Sequence, residues 1–224
     1  MANITNVSLD VHAQRAIKLL SDLVDRFPDN QHYRYELIET LRSDFFGPPH
    51  LAEGRERTQQ SLRDALFHAN HLIERYPNVP QYAVTRMHVL HKLRHVLTHM
   101  ARSTTVKEQA AIFEESKFAL EGADTQIRIL VKRWPKVFSY QFWSAVVDGS
   151  LAQVCLDIGQ NGDAKEALAS ALTTLNGLRQ TEHLATHVHS HLPNVCSVLS
   201  DLAQRAKAED LVREMESERK RFNQ

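Results

Sequence analysis

Histidine is the residue type in this chain whose spacing could support chemistry. The sequence holds 13 histidines, and two groups of them recur at helical intervals. One group is His88, His91, His95 and His99, and the other is His183, His187 and His191. Because residues three or four apart share one face of a helix, each group forms a stripe. Two neutral imidazoles with this spacing can share a Zn, Ni or Cu ion, so a metal- or haem-binding sensor is one hypothesis.

The residues around the histidines favour a different interpretation. Metal-ligating histidines usually donate their second ring N–H to a carboxylate, a carbonyl or a water. The first stripe has no acidic neighbours in the sequence, and Glu182 is the only acid close to the second group. We therefore predict no metal site and no cofactor, and we interpret both stripes as polar helix faces. The sensor is kept as the alternative.

The chain also lacks the motifs that organise common catalytic centres. No His-Glu-x-x-His motif, glycine-rich phosphate loop or Gly-x-Ser-x-Gly elbow occurs in it. Paired acids such as Glu114 and Glu115 lie in a charged segment of helical periodicity, where solvation explains them. Trp134 and Trp143 are expected to pack in the core and not to line a ligand site. We predict that the chain is not an enzyme.

Three segments repeat one motif, which predicts the elements that position these side chains. Each reads aliphatic, aliphatic, any residue, Arg, aromatic, Pro, four residues and Tyr. The copies are Leu23 to Tyr33, Leu72 to Tyr82 and Leu130 to Tyr140, and an alanine precedes each Pro by twelve residues (Ala16, Ala65 and Ala123). Proline cannot continue a helix and disfavours helical geometry in the residue before it. Each copy is therefore a helix, a turn and a second helix, and repeats of this kind build scaffolds.

Two further positions of the motif carry predictions. We expect the repeated tyrosines, Tyr33, Tyr82 and Tyr140, to be largely buried against the helix that precedes their own Pro. The repeated arginines, Arg26, Arg75 and Arg133, lie in a last helical turn, where a cation favours the negative end of the helix dipole. A structural role explains their recurrence in every copy better than a ligand clamp does, because a clamp is needed once.

The pattern of apolar residues predicts an all-helical chain, since no segment alternates with period two for long enough to form a strand. The expected helices run from about Ser8 to Phe27, His32 to Phe46, Ala52 to Tyr76, Val79 to Arg102, Val106 to Trp134, Phe138 to Gly159, Asp163 to Leu178, Asn194 to Arg205 and Ala208 to Phe222. The segment from Thr181 to Pro193 fits either a helix or a loop. We predict one helical-repeat domain over residues 1–224.

Composition excludes several classes of partner. Lys plus Arg and Asp plus Glu number 27 each, which argues against a dedicated nucleic-acid binder. No apolar run reaches the roughly 18 residues that a membrane helix needs, so we expect no membrane insertion within this chain. It should be soluble, either cytoplasmic or part of a larger anchored protein. Cys155 and Cys196 suit buried apolar positions better than a disulfide framework.

The stretch from Leu151 to Leu175 resembles a tetratricopeptide repeat. It has a helix ending in Ile-Gly, the turn Asn-Gly-Asp, and then Glu-Ala-Leu opening a second amphipathic helix. The Ala-to-Pro spacing of the other copies is similar to the second helix and terminal Pro of that family. The combination of Arg, aromatic, Pro and Tyr also resembles repeats of bacterial signalling proteins associated with kinases or sigma-factor regulators. The likeness covers roughly residues 10 to 210.

The resemblance implies a solenoid of antiparallel helical hairpins with lengthened helices. It also implies a non-catalytic scaffold that binds a protein or peptide in signalling or regulation. In the family, the first helix of each hairpin lines the concave face. The residues that this alignment places there are His32, Tyr35, Glu39, Arg42, His88, His91 and Lys92. Whether the chain also forms a homo-oligomer is left open.

Overall fold

A computed structural model describes residues 3–43, 52–178 and 192–222, and within them it contains nine helices and no strand. The helices are α1 (Asn3–Arg26), α2 (Gln31–Leu41), α3 (Ala52–Arg75), α4 (Pro80–Arg102), α5 (Val106–Arg133), α6 (Phe138–Asp157), α7 (Asn161–Leu178), α8 (Leu192–Arg205) and α9 (Glu209–Phe222). The prediction of an all-helical chain is confirmed. The histidines of the second stripe, His183, His187 and His191, lie outside the described residues.

The three Pro motifs end their helices at the predicted places and in the same way. The helices end at Arg26, Arg75 and Arg133, one residue before the aromatic residue of each copy. In every copy the aromatic N–H donates to the carbonyl four residues earlier, at 2.8 or 2.9 Å. Its own carbonyl then accepts from the N–H three residues later, at 2.9 to 3.2 Å. One sequence pattern therefore encodes one turn, three times.

The repeated tyrosines close these turns with ring contacts. The ring centroids of Tyr33, Tyr82 and Tyr140 lie 6.0, 6.2 and 6.2 Å from those of the aromatic residues before their own Pro. Full burial holds only in the second copy, because Tyr82 is 8 % exposed whereas Tyr33 and Tyr140 are half-buried. The predicted tyrosine contact thus recurs, and the predicted burial does not.

The repeated arginines have partners that differ between copies. Arg75 pairs with the carboxylate of Asp29 in the turn of the first copy, at 2.7 Å, and the Tyr76 hydroxyl donates to the Asp29 carbonyl at 3.3 Å. The Arg133 guanidinium lies 4.8 Å from the ring centroid of Trp134. In the second copy, the arginine therefore connects one Pro turn to the previous one, a role beyond the expected helix-dipole interaction.

Several helix boundaries differ from the expected ones, and α1 begins at Asn3, five residues before Ser8. Helix α2 ends at Leu41, five residues before Phe46. At its end the Thr40 and Ser43 hydroxyls donate to the Glu36 and Thr40 carbonyls, and the Ser43 N–H donates three residues back to Thr40 at 3.2 Å, where the helix gives way to a turn. Helix α8 begins at Leu192 and includes Pro193 in its first turn, where the missing N–H has no helical partner to lose.

The described helices group into two compact units, Met1–Ala119 and Leu120–Gln224. In the first unit α1 packs on α2, α2 on α3 and α3 on α4, and Leu37, Ile38, Leu62 and Met87 are fully buried between them. The alanine of the second motif copy, Ala65, is also fully buried there. Consecutive helices thus form hairpins within this unit.

The second unit contains two hairpins, α6 with α7 and α8 with α9, and α6 also packs on α8. The free thiols Cys155 and Cys196 are buried in its apolar core, as the sequence predicts. Burial raises the pKa of Cys196 to about 11, so the thiol is uncharged at neutral pH. Measured by length and hydropathy, none of the helices in the described part is suited to spanning a bilayer.

Candidate functional site

Side chains of α2 and α4 meet in one polar surface of the first unit. We define the α2–α4 surface as Tyr35, Glu39 and Arg42 together with Gln81, Thr85, His88 and Lys92, of which Thr85 is only 1 % exposed and lies between the two helices. On each helix the members are spaced by three or four residues, so they share one helix face. Five of these seven residues belong to the predicted lining set.

A row of hydrogen bonds joins the two helices along this surface. Near the start of α4, the Gln81 amide donates to the Tyr35 hydroxyl at 3.1 Å. In the middle, the Thr85 hydroxyl donates to a Glu39 carboxylate oxygen at 3.4 Å. At the far end, the Lys92 ammonium donates to the Arg42 carbonyl at 2.5 Å. The bonds follow α2 from its second turn to the residue after its end, so the two helices are held in register.

Charge in this surface is arranged around the end of α2. The Arg42 guanidinium donates to Glu39 through both Nε and Nη2. Lys92 binds a carbonyl at the C-terminal end of α2, where the helix dipole favours a cation. Two cations and one carboxylate therefore lie together at this end of the surface.

His88 contributes a neutral imidazole to the surface. It is half-buried, and burial lowers the pKa of His88 to about 4, with the Arg42 charge lowering it further and Glu39 opposing the shift. At neutral pH the ring is therefore a hydrogen-bonding group without charge.

The next two histidines of the stripe, His91 and His95, are arranged around a buried arginine. Their rings are perpendicular, with centroids 4.9 Å apart. Arg94, which is 6 % exposed, donates through Nη2 to the Nε2 atoms of His91 and His95, at 3.4 and 3.1 Å. Burial and the Arg94 charge lower the pKa of His91 to about 3 and that of His95 to about 4.

This arrangement bears directly on the metal hypothesis. A guanidinium can only donate, so both Nε2 atoms act as acceptors and their lone pairs point at a cation. A metal ion at the same place would have to displace Arg94 and tolerate its charge. Across the part of the chain that the structure describes, no three His, Cys, Asp or Glu residues are grouped so as to hold a metal ion.

The other members of the predicted sets lie apart from the α2–α4 surface. His32 is at the start of α2, with 73 % of its side chain exposed and its Nδ1 3.9 Å from Glu36. His99 is exposed near the end of α4. Sequence reasoning missed Gln81 and Thr85, although their spacing from His88 and Lys92 places them on the same face.

A second polar feature, in the second unit, was not predicted. Asp148 of α6 is 1 % exposed and accepts from Arg128 Nη2 at 3.0 Å. Arg128 also donates to Asp124, one turn earlier on α5, and to Ser170 of α7, so it joins three helices. Burial raises the pKa of Asp148 to about 6. A hydrogen bond between Ser170 and Asp148 and the charge of Arg128 both oppose this shift.

No family model and no curated protein matches this chain. Among solved structures, it is similar to a chain from the computational design of self-assembling cyclic protein homo-oligomers, at a TM-score of 0.47 and 9% identity over 99% of this chain and 97% of that one. It is also similar to BtubC (BKLC) from P. vanneervenii, at a TM-score of 0.42 and 14% identity over 99% and 92% of the two chains. At these values neither similarity informs the function of the chain.

Proposed function

We propose that the chain is a non-catalytic helical-repeat scaffold that binds a protein or peptide in signalling or regulation. The observation that carries the proposal is the α2–α4 surface. Residues separated by more than forty positions in sequence form one continuous face there, held by three hydrogen bonds between helices. A surface whose side chains are already fixed loses less entropy when a partner binds.

The arrangement of the helices supports a tetratricopeptide-like solenoid as the architecture. Helices α2 and α4 contact each other although α3 separates them in sequence. The same holds in the second unit, where Arg205 of α8 donates to Gln153 and Asp157 of α6, both at 2.9 Å. Contacts between alternate helices are what a stack of hairpins requires, because the first helices of successive hairpins then lie side by side.

The chemistry of the surface suits a partner rich in hydrogen-bond acceptors. Tyr35 offers an aromatic ring of the kind that is enriched in protein interfaces, and Arg42 and Lys92 supply cations near it. The neutral His88 ring adds a hydrogen-bonding group that does not repel these cations. A partner segment with backbone carbonyls or carboxylates over this face would therefore be favoured.

Site-specific crosslinking tests the proposal. A photoreactive residue in place of Tyr35 should capture a partner in native extract that the same residue in place of Arg213, which is exposed on α9, does not capture. The captured protein is then purified, and its affinity is measured for the variant Tyr35→Ala, His88→Ala.

The proposal predicts that this variant binds at least about tenfold more weakly, a loss of about 1.4 kcal/mol. Its melting temperature should fall, because Tyr35 packs on Tyr82 with ring centroids 6.0 Å apart. Its circular dichroism at the assay temperature should match that of the parent protein, which separates lost contacts from lost folding. Affinity equal to that of the parent would remove the α2–α4 surface from the proposed function.

No feature of the described residues favours the alternative of a metal- or haem-binding sensor. The two best-placed histidines, His91 and His95, both accept hydrogen bonds from Arg94. The absence of an enzymatic activity is likewise still a prediction, which turnover assays would test.

A further inference from the structure

Two phenylalanines of the first unit expose most of their surface to solvent. Phe67 of α3 is 68 % exposed and Phe118 of α5 is 77 % exposed. Among the large apolar residues that the structure describes, these are the two highest values. Single exposed apolar residues are ordinary, but grouped ones mark interaction sites.

An ion pair brings the two phenylalanines together. Arg63 Nη2 of α3 lies 2.5 Å from Glu115 Oε1 of α5. Phe67 follows Arg63 by four residues and Phe118 follows Glu115 by three, so each ring shares a helix face with one partner of the pair. The faces of α3 and α5 that carry the phenylalanines are therefore adjacent.

The directions of the helices place both rings at one level. The short turns between α3 and α4 and between α4 and α5 each reverse the chain, as the contacts Arg86–Asn70 and Thr98–Ser116 show. Helices α3 and α5 thus run the same way, and both rings lie beyond the ion pair in that direction.

Acidic residues accompany each ring. Asp64 precedes Phe67 by three residues and Glu114 precedes Phe118 by four, and both acids are exposed. The Arg63–Glu115 pair is internally neutral, and the two exposed carboxylates add negative charge beside the rings. We define the aromatic–acidic patch as Phe67, Phe118, Asp64 and Glu114.

Helix α1 carries a face of complementary character. Val11 and Leu19 are 58 % and 56 % exposed, and they lie about 12 Å apart along the helix axis. Arg15 and Lys18, which lie between them, are exposed and basic. Asp22 is the next acid along this face, and it lies beyond the Val11–Leu19 segment.

We propose that the chain self-associates by placing α1 of one copy on the aromatic–acidic patch of a second copy. In this contact Val11 and Leu19 cover the two phenylalanines, and Arg15 and Lys18 meet Asp64 and Glu114. When each copy gives its α1 to the other, the contact is made twice and the dimer is closed. The proposal uses other residues than the α2–α4 surface and does not depend on the proposed function.

Charge reversal gives a sharp test by sedimentation velocity over a range of protein concentrations. The parent protein should form a dimer. The variant Arg15→Glu, Lys18→Glu has an acidic α1 and an acidic patch, so it should be monomeric. The variant Asp64→Lys, Glu114→Lys has a basic α1 and a basic patch, and it should be monomeric too. Each double reversal should weaken association by at least about tenfold, because like charges then face each other.

Mixing the two variants is the decisive measurement. Both contacts in the mixed pair join opposite charges, so a one-to-one heterodimer should form with an affinity within about threefold of the parent dimer. The matched control, Lys165→Glu, Arg213→Glu, changes net charge as the α1 variant does but on exposed residues elsewhere, and it should stay dimeric. A monomeric parent, an unaffected dimer in either variant, or no heterodimer on mixing would overturn the proposal.

Discussion

His91 and His95 show that a histidine row can have a chemical partner that its spacing does not reveal. The row alone fits a metal site, yet both Nε2 atoms accept from the buried Arg94. Arg94 is adjacent in sequence to His95, and its burial could not be read from the pattern. At the residue scale, whether a histidine stripe can bind a metal ion depends on whether another cation already bonds to the ring nitrogens.

Metal addition should therefore leave the stability of this protein unchanged. A site in the folded state would stabilise it by about 2.7 kcal/mol at one hundred times the dissociation constant. We expect no clear rise in melting temperature with micromolar Zn, Ni or Cu, measured on protein without an affinity tag. A rise that disappears in the variant His91→Ala, His95→Ala would instead support the sensor.

The repeated tyrosines should differ in their contribution to stability. Tyr82→Ala should lower the free energy of unfolding by about 3 kcal/mol or more, since the ring is 8 % exposed and its hydroxyl donates to Gln31 at 2.8 Å. Tyr140→Ala removes a half-buried ring and should cost less. Denaturant titration of both variants checks the order, and equal losses would contradict it.

Asp148 should make stability depend on pH. Its pKa is raised from the ordinary 3.8 to about 6, so its contribution to stability is fully present below 3.8 and is lost as pH rises through 6. Asp148→Asn cannot ionise and keeps an oxygen for Arg128. The variant should gain stability relative to the parent as pH rises from 3.5 to 8, by up to about 3 kcal/mol.

Chemical denaturation at several pH values measures this difference, and titrations of other groups cancel in it. Asp210→Asn serves as the control, because the Asp210 side chain is 87% exposed. If the difference in unfolding free energy between Asp148→Asn and the parent does not vary with pH, ionisation of Asp148 does not destabilise the folded state.

At the scale of the helices, the sequence predicts best where one residue type has a single local effect. The Pro residues ended α1, α3 and α5 within one residue of the expected positions because the missing N–H acts locally. The end of α2 was misplaced, because no Gly or Pro among the described residues marks it in the sequence.

Contacts between helices were harder to anticipate. Arg34 and Gln141 occupy the sixth position after their Pro, and each side chain donates back to that Pro carbonyl, at 3.3 and 2.6 Å. Because Arg and Gln differ in chemistry, the sequence does not reveal that they occupy equivalent positions of the motif.

The partners of Arg128 were also not predictable, because they depend on how three helices pack, which no spacing along one helix encodes. Five of the predicted lining residues do share one surface, because the faces of their helices could be predicted from spacing. Gln81 and Thr85 were missed because their residue types carry no distinctive chemistry.

Gly149 should be required for the packing of α6 on α8. A methyl group there would lie 2.5 Å from Leu199 Cδ2, which belongs to a side chain that is only 2 % exposed. Gly149→Ala should destabilise the protein by about 1–3 kcal/mol through overpacking. Gly177→Ala, on α7 with no atom within 4 Å of the added methyl, should instead gain up to about 1 kcal/mol from helix propensity. Melting curves of the two variants should move in opposite directions.

At the scale of the whole molecule, charge balance governs colloidal behaviour. The formal net charge is zero and the sequence pI is about 7.2. Solubility should therefore be lowest near pH 7 and should rise on both sides, because net charge opposes association. Precipitation curves against pH measure this, and a minimum far from neutrality would contradict it.

Each Pro turn is held by its own backbone hydrogen bonds and by its own tyrosine. This local character has a consequence for biosynthesis. Within each unit, most helix contacts join neighbours in sequence, so little chain must be made before a hairpin has its partner. Proteins dominated by such local contacts fold quickly, and folding during synthesis begins at the N-terminus. The turn of the first copy can thus form as soon as Tyr33 leaves the ribosome. We expect each later hairpin to add to a surface that already exists, so that assembly within a unit follows the order of translation.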